Sequence, residues 1–541
     1  MLSYGEAQRK GVWLLDLEIA GELRRYATEA QTVVNNAGQS LLYLGGLADP
    51  TITKAQQGLA EASVGLELVT ADDWARIEAD GHTLERGRGI LRRWHEGQTL
   101  ERAEVYLSGL VSGASYGEAQ EPLAFTLSRE SSAESIELLD PQAIISEDTW
   151  PVRLGYATEE GVIGTAYPLI IGCPGNYPSG TPRPAVPALM VEGAAGTVAS
   201  RVLVSLGAID AQQVRLHNTS TGDEGTTGTI GALDRLGRGV TLTDFTGTTV
   251  LGGLSDEYWI GLQDDATFGG GIQNPYEAGR PLRGAGDVIR YVLQTYTTIP
   301  VDSGRMAANL AELNRYQIDT WLNVPTNALE WLQSEVFDWL PVQVLESSFG
   351  LYVRPYRFDQ TRADVVAWLS ADRRDIERQG SLERLNQAIH NEITVRYRPA
   401  NGPGAAWYSS VTITAKAGQL SVTDAETDDP RILGSYLAQR SQTVYGVRPL
   451  IIDLPQTWDD TTAELVARDR LNRHAWHKRT ATYQGGSELE AIEPGACIAV
   501  TDSAVHLNEA LALVVDVEAT SAGCLLSLVL LDNPVGQPFD V

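Results

Sequence analysis

The segment 113–117, Gly-Ala-Ser-Tyr-Gly, is the first place where this sequence could do chemistry, because it matches the G-x-S-x-G pattern of a serine nucleophile. In that pattern a strand-to-helix turn exposes the serine hydroxyl beside backbone N–H donors. The residues that follow Ser115 include Pro122 and have the composition of a strand. The helix that a nucleophile needs is therefore not predicted, and the segment is interpreted as a glycine-rich hairpin.

Two histidines, His474 and His477, lie three residues apart near the predicted end of a helix, a spacing that could turn two imidazoles toward one metal ion. No third histidine or carboxylate stands at a set spacing nearby, and Arg473, Lys478 and Arg479 would repel a cation. Basic side chains interact favourably with the negative end of a helix dipole. The cluster is therefore interpreted as the basic end of a helix.

Acidic side chains and thiols are present, but their spacing defines no site. Residues 424–429 carry carboxylates at alternate positions as calcium loops do, yet they lack the turn glycine and the closing glutamate. A glycosidase pair cannot be selected among 70 acidic residues. The three cysteines, Cys173, Cys497 and Cys524, are predicted to be buried and reduced. The sequence predicts no catalytic residue, no metal ligand and no cofactor.

The charge balance excludes whole classes of protein. The 541 residues carry 41 Lys and Arg against 70 Asp and Glu, a formal net charge of −29. Binding nucleic acid by phosphate neutralisation needs a surplus of basic residues, so that class is excluded. No run of about 18 apolar residues occurs, so no membrane span is predicted. Glu6 and Asp16 interrupt the region where an export signal would be basic and then apolar.

The first half of the chain has the pattern of short strands separated by turns, which favours a barrel or sandwich over residues 1–145. Strands are predicted at Val12–Ile19, Ser40–Leu44, Ser63–Val69 and Ala103–Leu110. The hexapeptide SYGEAQ occurs at residues 3–8 and 115–120, and it marks either two equivalent sheet edges or a chance repeat. Residues 146–284 are rich in glycine and threonine, which predicts a loop-rich β insertion domain.

Helical periodicity begins at Gly286, and a mixed α/β module is predicted over residues 285–384. An apolar helical stripe is predicted from Val288 to Tyr296. Helix starts are predicted after Asn327 as a cap, at Asp429-Pro430, and at Thr461 with Glu464 as a capping box. Residues 385–541 end in strands predicted at Ala496–Val500, Ala510–Ala519 and Cys524–Leu531. The fold class is therefore α+β and mostly β, with β domains at both chain ends.

Three parts of the chain resemble bacteriophage tail and baseplate hub proteins. Residues 468–531 have a helix, a strand, a Pro494-Gly495 turn that introduces the next strand, and two closing strands, with Ala496 where that family usually has aspartate. The stretches LEIAGELRRYATEAQ, LLYLGGLADP and YLSGLVSG are similar to the other barrel of the family. GDVIRYVLQTY and residues 324–355 resemble its helical module. Residues 146–284 match only faintly and are interpreted as an insertion.

The resemblance implies a structural virion protein, not an enzyme, with one hub β-barrel in residues 1–145 and a second, with flanking helices, in residues 385–541. It implies a homotrimer whose barrels form a ring, which joins a sixfold tail tube to a threefold tip and lines the DNA ejection channel. The expected partners are a distal tail or tail tube protein, the tape-measure protein, and tail fibre or central spike proteins. The expected location is the virion tail tip, after assembly in the bacterial cytoplasm.

Two other functions remain open on the sequence alone. A tail-associated cell-wall or polysaccharide hydrolase is compatible with the many carboxylates. A receptor-binding tail module is compatible with the loop-rich segment 217–271 and with aromatic residues such as Tyr258 and Trp259. Two arginine clusters, at residues 86–93 and 373–378, are interpreted either as solvated faces or as seams between subunits of opposite charge.

Overall fold

The computed structural model shows a protein built mostly from β-strands, with helices in the second half of the chain. The structure describes residues 11–19, 22–54, 61–66, 81, 83–84, 87–115, 123–128, 138, 156–157, 164, 166, 168–177, 182–187, 189–194, 199–205, 214–220, 223–227, 229–232, 241–244, 257–262, 272, 274–347, 349–400, 406–418, 427–520 and 523–531. The α+β, mostly β, class predicted from the sequence agrees with this content.

The first unit is a mostly antiparallel sheet with a buried aliphatic and aromatic face. Its strands are β1 (Gly11–Ile19), β2 (Glu22–Ala27), β3 (Gln31–Val34), β4 (Ser40–Gly45), β5 (Thr51–Lys54), β6 (Glu61–Leu66), β7 (Arg88–His95), β8 (Glu104–Ser115) and β9 (Leu123–Ser128). Hydrogen bonds order them as β5-β6-β9-β8-β7-β1-β2-β4-β3. In the core, the rings of Trp13 and Tyr106 meet edge to face at 4.9 Å. The four strands predicted here are confirmed, with shifted ends.

The second region holds short strands in separate sheets, as its glycine- and threonine-rich sequence predicts. They are β10 (Tyr156–Ala157), β11 (Leu169–Ile171), β12 (Val186–Pro187), β13 (Leu189–Ala194), β14 (Ala199–Ser205), β15 (Val214–Asn218), β16 (Asp223–Thr227), β17 (Thr229–Ala232), β18 (Thr241–Asp244) and β19 (Tyr258–Leu262). One sheet has the order β10-β13-β14-β18-β17, and the other, here called the insertion sheet, has the order β12-β19-β15-β16.

The middle of the chain combines helices with short strands. They are α1 (Ala285–Tyr296), α2 (Ser303–Leu313), β20 (Thr320–Leu322), α3 (Ala328–Leu332), β21 (Val342–Ser347), β22 (Gly350–Pro355), β23 (Val365–Ser370) and β24 (Ile376–Arg384). The predicted apolar stripe of α1 is confirmed, since Val288 and Val292 are fully buried. Asn327 caps α3 as predicted, because its side chain accepts hydrogen bonds from the N–H groups of Leu329 and Glu330 at 3.0 and 3.2 Å.

The last part of the chain contains a four-stranded sheet, two helices and the strands of the second terminal unit. They are β25 (Glu392–Pro399), β26 (Trp407–Thr414), β27 (Thr427–Gly434), α4 (Tyr436–Tyr445), β28 (Pro449–Leu454), α5 (Asp460–His474), β29 (Arg479–Gly485), β30 (Cys497–Asp502), β31 (Leu507–Thr520) and β32 (Gly523–Leu530). The four-stranded sheet has the order β27-β26-β25-β28. The three strands predicted near the C-terminus are confirmed as β30, β31 and β32.

Two predicted helix starts in this region are wrong. Asp429-Pro430 lies in β27, at the edge of the four-stranded sheet, where a missing N–H is tolerated. The helix that follows, α4, begins after Ser435, which accepts a backbone hydrogen bond from its first turn. Helix α5 begins two residues earlier than predicted, because Asp459 rather than Thr461 accepts the N–H of Thr462, at 2.7 Å.

The two terminal β units have the same strand order. In the second unit the order is β24-β29-β32-β31-β30-β23, against β5-β6-β9-β8-β7-β1 in the first. When β2, β3 and β4 of the first unit are left out and the remaining strands are numbered along the chain, both orders read second, third, sixth, fifth, fourth, first. One pair differs in direction, since β23 and β30 run parallel and β1 and β7 antiparallel. None of the sheets among the described strands is closed, so the predicted barrel form is not confirmed.

Candidate functional site

The two terminal units meet edge to edge at a junction between β5 and β31. Residues 517–519 of β31 lie antiparallel to residues 52–54 of β5, which makes one continuous 15-stranded sheet from the two ends of the chain. Each unit keeps its own buried core, with Phe125 in the first and Leu526 in the second. The units are therefore joined through backbone hydrogen bonds along their edges, as neighbouring subunits of an assembly can be.

A buried carboxylate, Asp319, ties together three other segments of the chain. The Arg283 guanidinium, which precedes α1, donates to it from Nε at 2.6 Å and from Nη2 at 3.1 Å. The backbone N–H groups of Cys173, after β11, and Trp458, before α5, donate to it at 2.8 and 3.0 Å. Asp319 has no solvent exposure, so these donors replace the water that its charge would otherwise require.

The insertion sheet packs against the rest of the chain through aromatic residues. Trp458 shares a buried core with Ile260 of that sheet, and Tyr258 lies in the same core with only 3% of its surface exposed. The ring of Trp259 meets the ring of Trp321 edge to face at 6.5 Å. The two aromatic residues that favoured a receptor-binding module are thus used for contacts within the chain.

Ser115 lies at the exposed end of β8, and the next described strand, β9, returns antiparallel to it. The two strands of the predicted hairpin therefore pair, and residues 116–122, which connect them, lie outside the described part of the chain. That gap also contains most of the second SYGEAQ copy, and the first copy is outside the described residues as well. A strand, not a helix, is thus the next element seen after the serine.

The histidine pair lies at the end of α5 among basic groups. Burial and the charge of Arg473 lower the pKa of His474 to about 4, and its ring lies 5.8 Å from the ring of His390. Burial, with Arg384 and Arg448 nearby, also lowers the pKa of His477. Both imidazoles are therefore neutral near pH 7.

Among the described residues, none of the other candidates from the sequence forms a cluster. The described part of the acidic run, Asp428 and Asp429, is exposed on β27, and all three cysteines are buried and unbridged. Burial raises the pKa of the Cys497 thiol to about 12. Among the described residues, no group of three His, Cys, Asp or Glu side chains could hold a metal ion, and no helix is long and apolar enough to span a membrane.

Three arginines of the two clusters make close contacts within the chain. Arg92 pairs with Asp16, and the Arg93 guanidinium lies 4.6 Å from the centre of the Trp13 ring. In the second cluster, the Arg378 Nε lies 2.9 Å from a carboxylate oxygen of Asp502. Arg86 is outside the described residues. Arg88, Arg373 and Arg374 are exposed, so a solvated face and a seam between subunits both remain interpretations of the clusters.

Asp469, on α5, is a buried acid whose raised pKa makes the stability of the fold depend on pH. Its carboxylate accepts the N–H of Phe358 at 3.4 Å, and burial raises its pKa to about 6 in spite of the nearby positive charge of Arg470. The folded chain therefore binds a proton at Asp469 more tightly than the unfolded chain does, since the ordinary value is 3.8. This group stabilises the fold below about pH 4, and its contribution is lost as the pH rises through about 6.

The change Asp469→Asn is expected to flatten the dependence of stability on pH between about pH 4 and pH 6. Over this window the free energy of unfolding of the native protein is expected to fall by roughly 3 kcal/mol relative to that of the variant. Urea unfolding at a series of pH values measures it. Asp428→Asn, at an exposed site, is the matched control and should keep the native profile. A native profile in Asp469→Asn as well would contradict the prediction.

No protein-family model and no curated protein matches the sequence. The structure is similar to the prophage MuSo2 43 kDa tail protein from Shewanella oneidensis, with a TM-score of 0.32, 10% identity, and 96% of this chain and 98% of that chain covered. The tail protein from Neisseria meningitidis MC58 matches with a TM-score of 0.38 and 8% identity, and the match covers 96% of this chain and 96% of that chain. Prophage tail protein gp18 from Listeria monocytogenes EGD-e matches with a TM-score of 0.32 and 8% identity, and the match covers 92% of this chain and 93% of that chain. These three structural neighbours are tail proteins, two of them from prophages.

Proposed function

We propose that this chain is a structural, non-enzymatic protein of a phage tail and that it forms the hub at the tail tip. The observation that carries the proposal is the common strand order of the two terminal β units, which stand side by side at the junction of β5 and β31. A ring is built from units that repeat around an axis, and one chain already supplies two such units. Two of the three sequence patterns that resemble hub proteins lie in these same units.

Three copies would bring six similar β units into one closed ring. Closed cyclic symmetry buries each contact edge, so no sheet edge at the junctions stays open to further chains. Such a ring can present six similar surfaces to a tail tube on one side. On the other side its true symmetry is threefold, which suits a central spike or fibre assembly.

The acidic composition supports a role around moving DNA. With a net charge of −29, the ring would not neutralise phosphates, so DNA could pass without binding. Like charges 4 Å apart repel by only about 1 kcal/mol in water, and salt screens them over about 10 Å, so passage is not blocked. The proposed partners are the tail tube or distal tail protein, the tape-measure protein and the fibre or spike proteins, at the tail tip of a virion assembled in the host cytoplasm.

The purified protein is expected to be a trimer, with three times the 58.5 kDa mass of the chain in light scattering. Negative-stain electron microscopy is expected to show a ring with a central hole. A strictly monomeric species at every concentration would contradict the hub proposal.

A cell-wall zymogram tests the hydrolase alternative, and no clearing is expected.

A further inference from the structure

Strand β31 has two different neighbours along one of its edges. Its first half pairs with β30 as far as Leu513, while residues 517–519 pair with β5. Because β32 follows residues 512–520 on the opposite edge, β30 and β5 must share the remaining edge. A strand that extends past the end of its neighbour has unpaired backbone N–H and C=O groups along that edge. In β31 these groups pair with β5 of the other terminal unit.

Strand β8 holds the same place in the first unit that β31 holds in the second. Its neighbour β7 pairs with it only as far as Leu110, while β9 follows its other edge to Ser115. Both long strands shift register against their hairpin partner shortly before this end, between Ser112 and Ser115 in β8 and between Val514 and Asp516 in β31. Among the described strands, none pairs with the end of β8 on the edge where β7 stops.

Strand β24 holds the place in the second unit that β5 holds in the first. One edge of β5 pairs with β6 and the other with β31, whereas β24 pairs with β29 alone among the described strands. Gln379 and Ser381 of β24 are exposed. Among the described strands, the outer edge of β24 therefore has no partner strand.

We infer that the last residues of β8 pair with the outer edge of β24 in a second copy of this chain. This contact would repeat between chains the junction that β31 and β5 make within one chain, and it rests on the proposed ring. Each β unit would then have one neighbour in its own chain and one in the next, so the ring closes. The exposed residues Ser112, Ser115, Gln379 and Ser381 are polar, which keeps both edges soluble until the partner strand arrives.

Cross-linking between two singly substituted proteins tests this contact and excludes links within one chain. One protein carries Ser115→Cys and a small tag, and the other carries Ser381→Cys and a larger tag. The two are co-expressed and treated with a short bismaleimide. The three native cysteines are buried, so the introduced thiols are the reactive ones. A product that contains both tags is expected as the main cross-linked species.

The control replaces Ser381→Cys by Ser334→Cys, which is exposed in the middle of the chain, and is expected to give several-fold less mixed product. Light scattering on the same samples separates the two proposals. A trimer with no more mixed product than the control overturns the contact between β8 and β24 and leaves the proposed ring standing. A protein that stays monomeric overturns both.

Discussion

Replacing Asp319 by alanine is expected to lower the free energy of unfolding by about 3–5 kcal/mol, because the change removes the counter-charge of the buried Arg283 guanidinium. The N–H groups of Cys173 and Trp458 lose their acceptor in the same change. These donors come from three separate parts of the chain, so the loss loosens the contact between all of them. Guanidinium unfolding followed by tryptophan fluorescence is the measurement.

Two further variants show whether the buried charge is the cause. Asp319→Asn keeps one acceptor oxygen without the charge, and its free energy of unfolding is expected to fall less than that of the alanine variant. Glu277→Ala breaks an ion pair of 3.0 Å with Arg280 whose side chains are 59% and 58% exposed, and such surface pairs contribute about 0–1 kcal/mol. Equal unfolding midpoints for Asp319→Ala and Glu277→Ala would show that Asp319 does not hold the segments together.

Much of the fold could be predicted because strands and helices leave local periodic patterns. The strands of both chain ends alternate or run apolar over short stretches, and α1 repeats its apolar residues at helical spacing. The pattern fails at Asp429-Pro430, which fits the start of a helix. The same two residues suit the edge strand β27, where an acidic side chain and a missing N–H discourage further pairing. Only the neighbouring strand β26 decides between the two structures.

The junctions could not be predicted, because they depend on pairs that are distant in the sequence. Strands β5 and β31 lie at opposite ends of the chain, and their register is set by the packing of two whole units. Asp319 is one of 70 acidic residues, and its donors come from far along the chain. Tyr258 and Trp259 are interpreted as surface aromatics on the sequence alone, because residues that pack against them lie far away along the chain.

Replacing Trp458 by alanine is also expected to lower the free energy of unfolding by about 3–5 kcal/mol, since its indole, 1% exposed, fills the core between the insertion sheet and the rest of the chain. Its ring lies 6.1 Å from the ring of Tyr408. Its backbone bonds to Asp319 and Arg398 do not depend on the side chain. The insertion sheet should therefore detach first, and limited proteolysis within residues 257–262 should accelerate.

The control for Trp458 is Trp368→Ala on β23, where the indole is 47% exposed and the expected loss is below about 1 kcal/mol. Equal losses in the two variants would show that Trp458 does not anchor the insertion sheet. Trp458→Phe keeps an aromatic ring and is expected to restore part of the protection from proteolysis. Because the Trp458 backbone also bonds to Asp319, the double variant Asp319→Ala/Trp458→Ala should lose less than the sum of the single losses: the first change already loosens the contact that the second one removes.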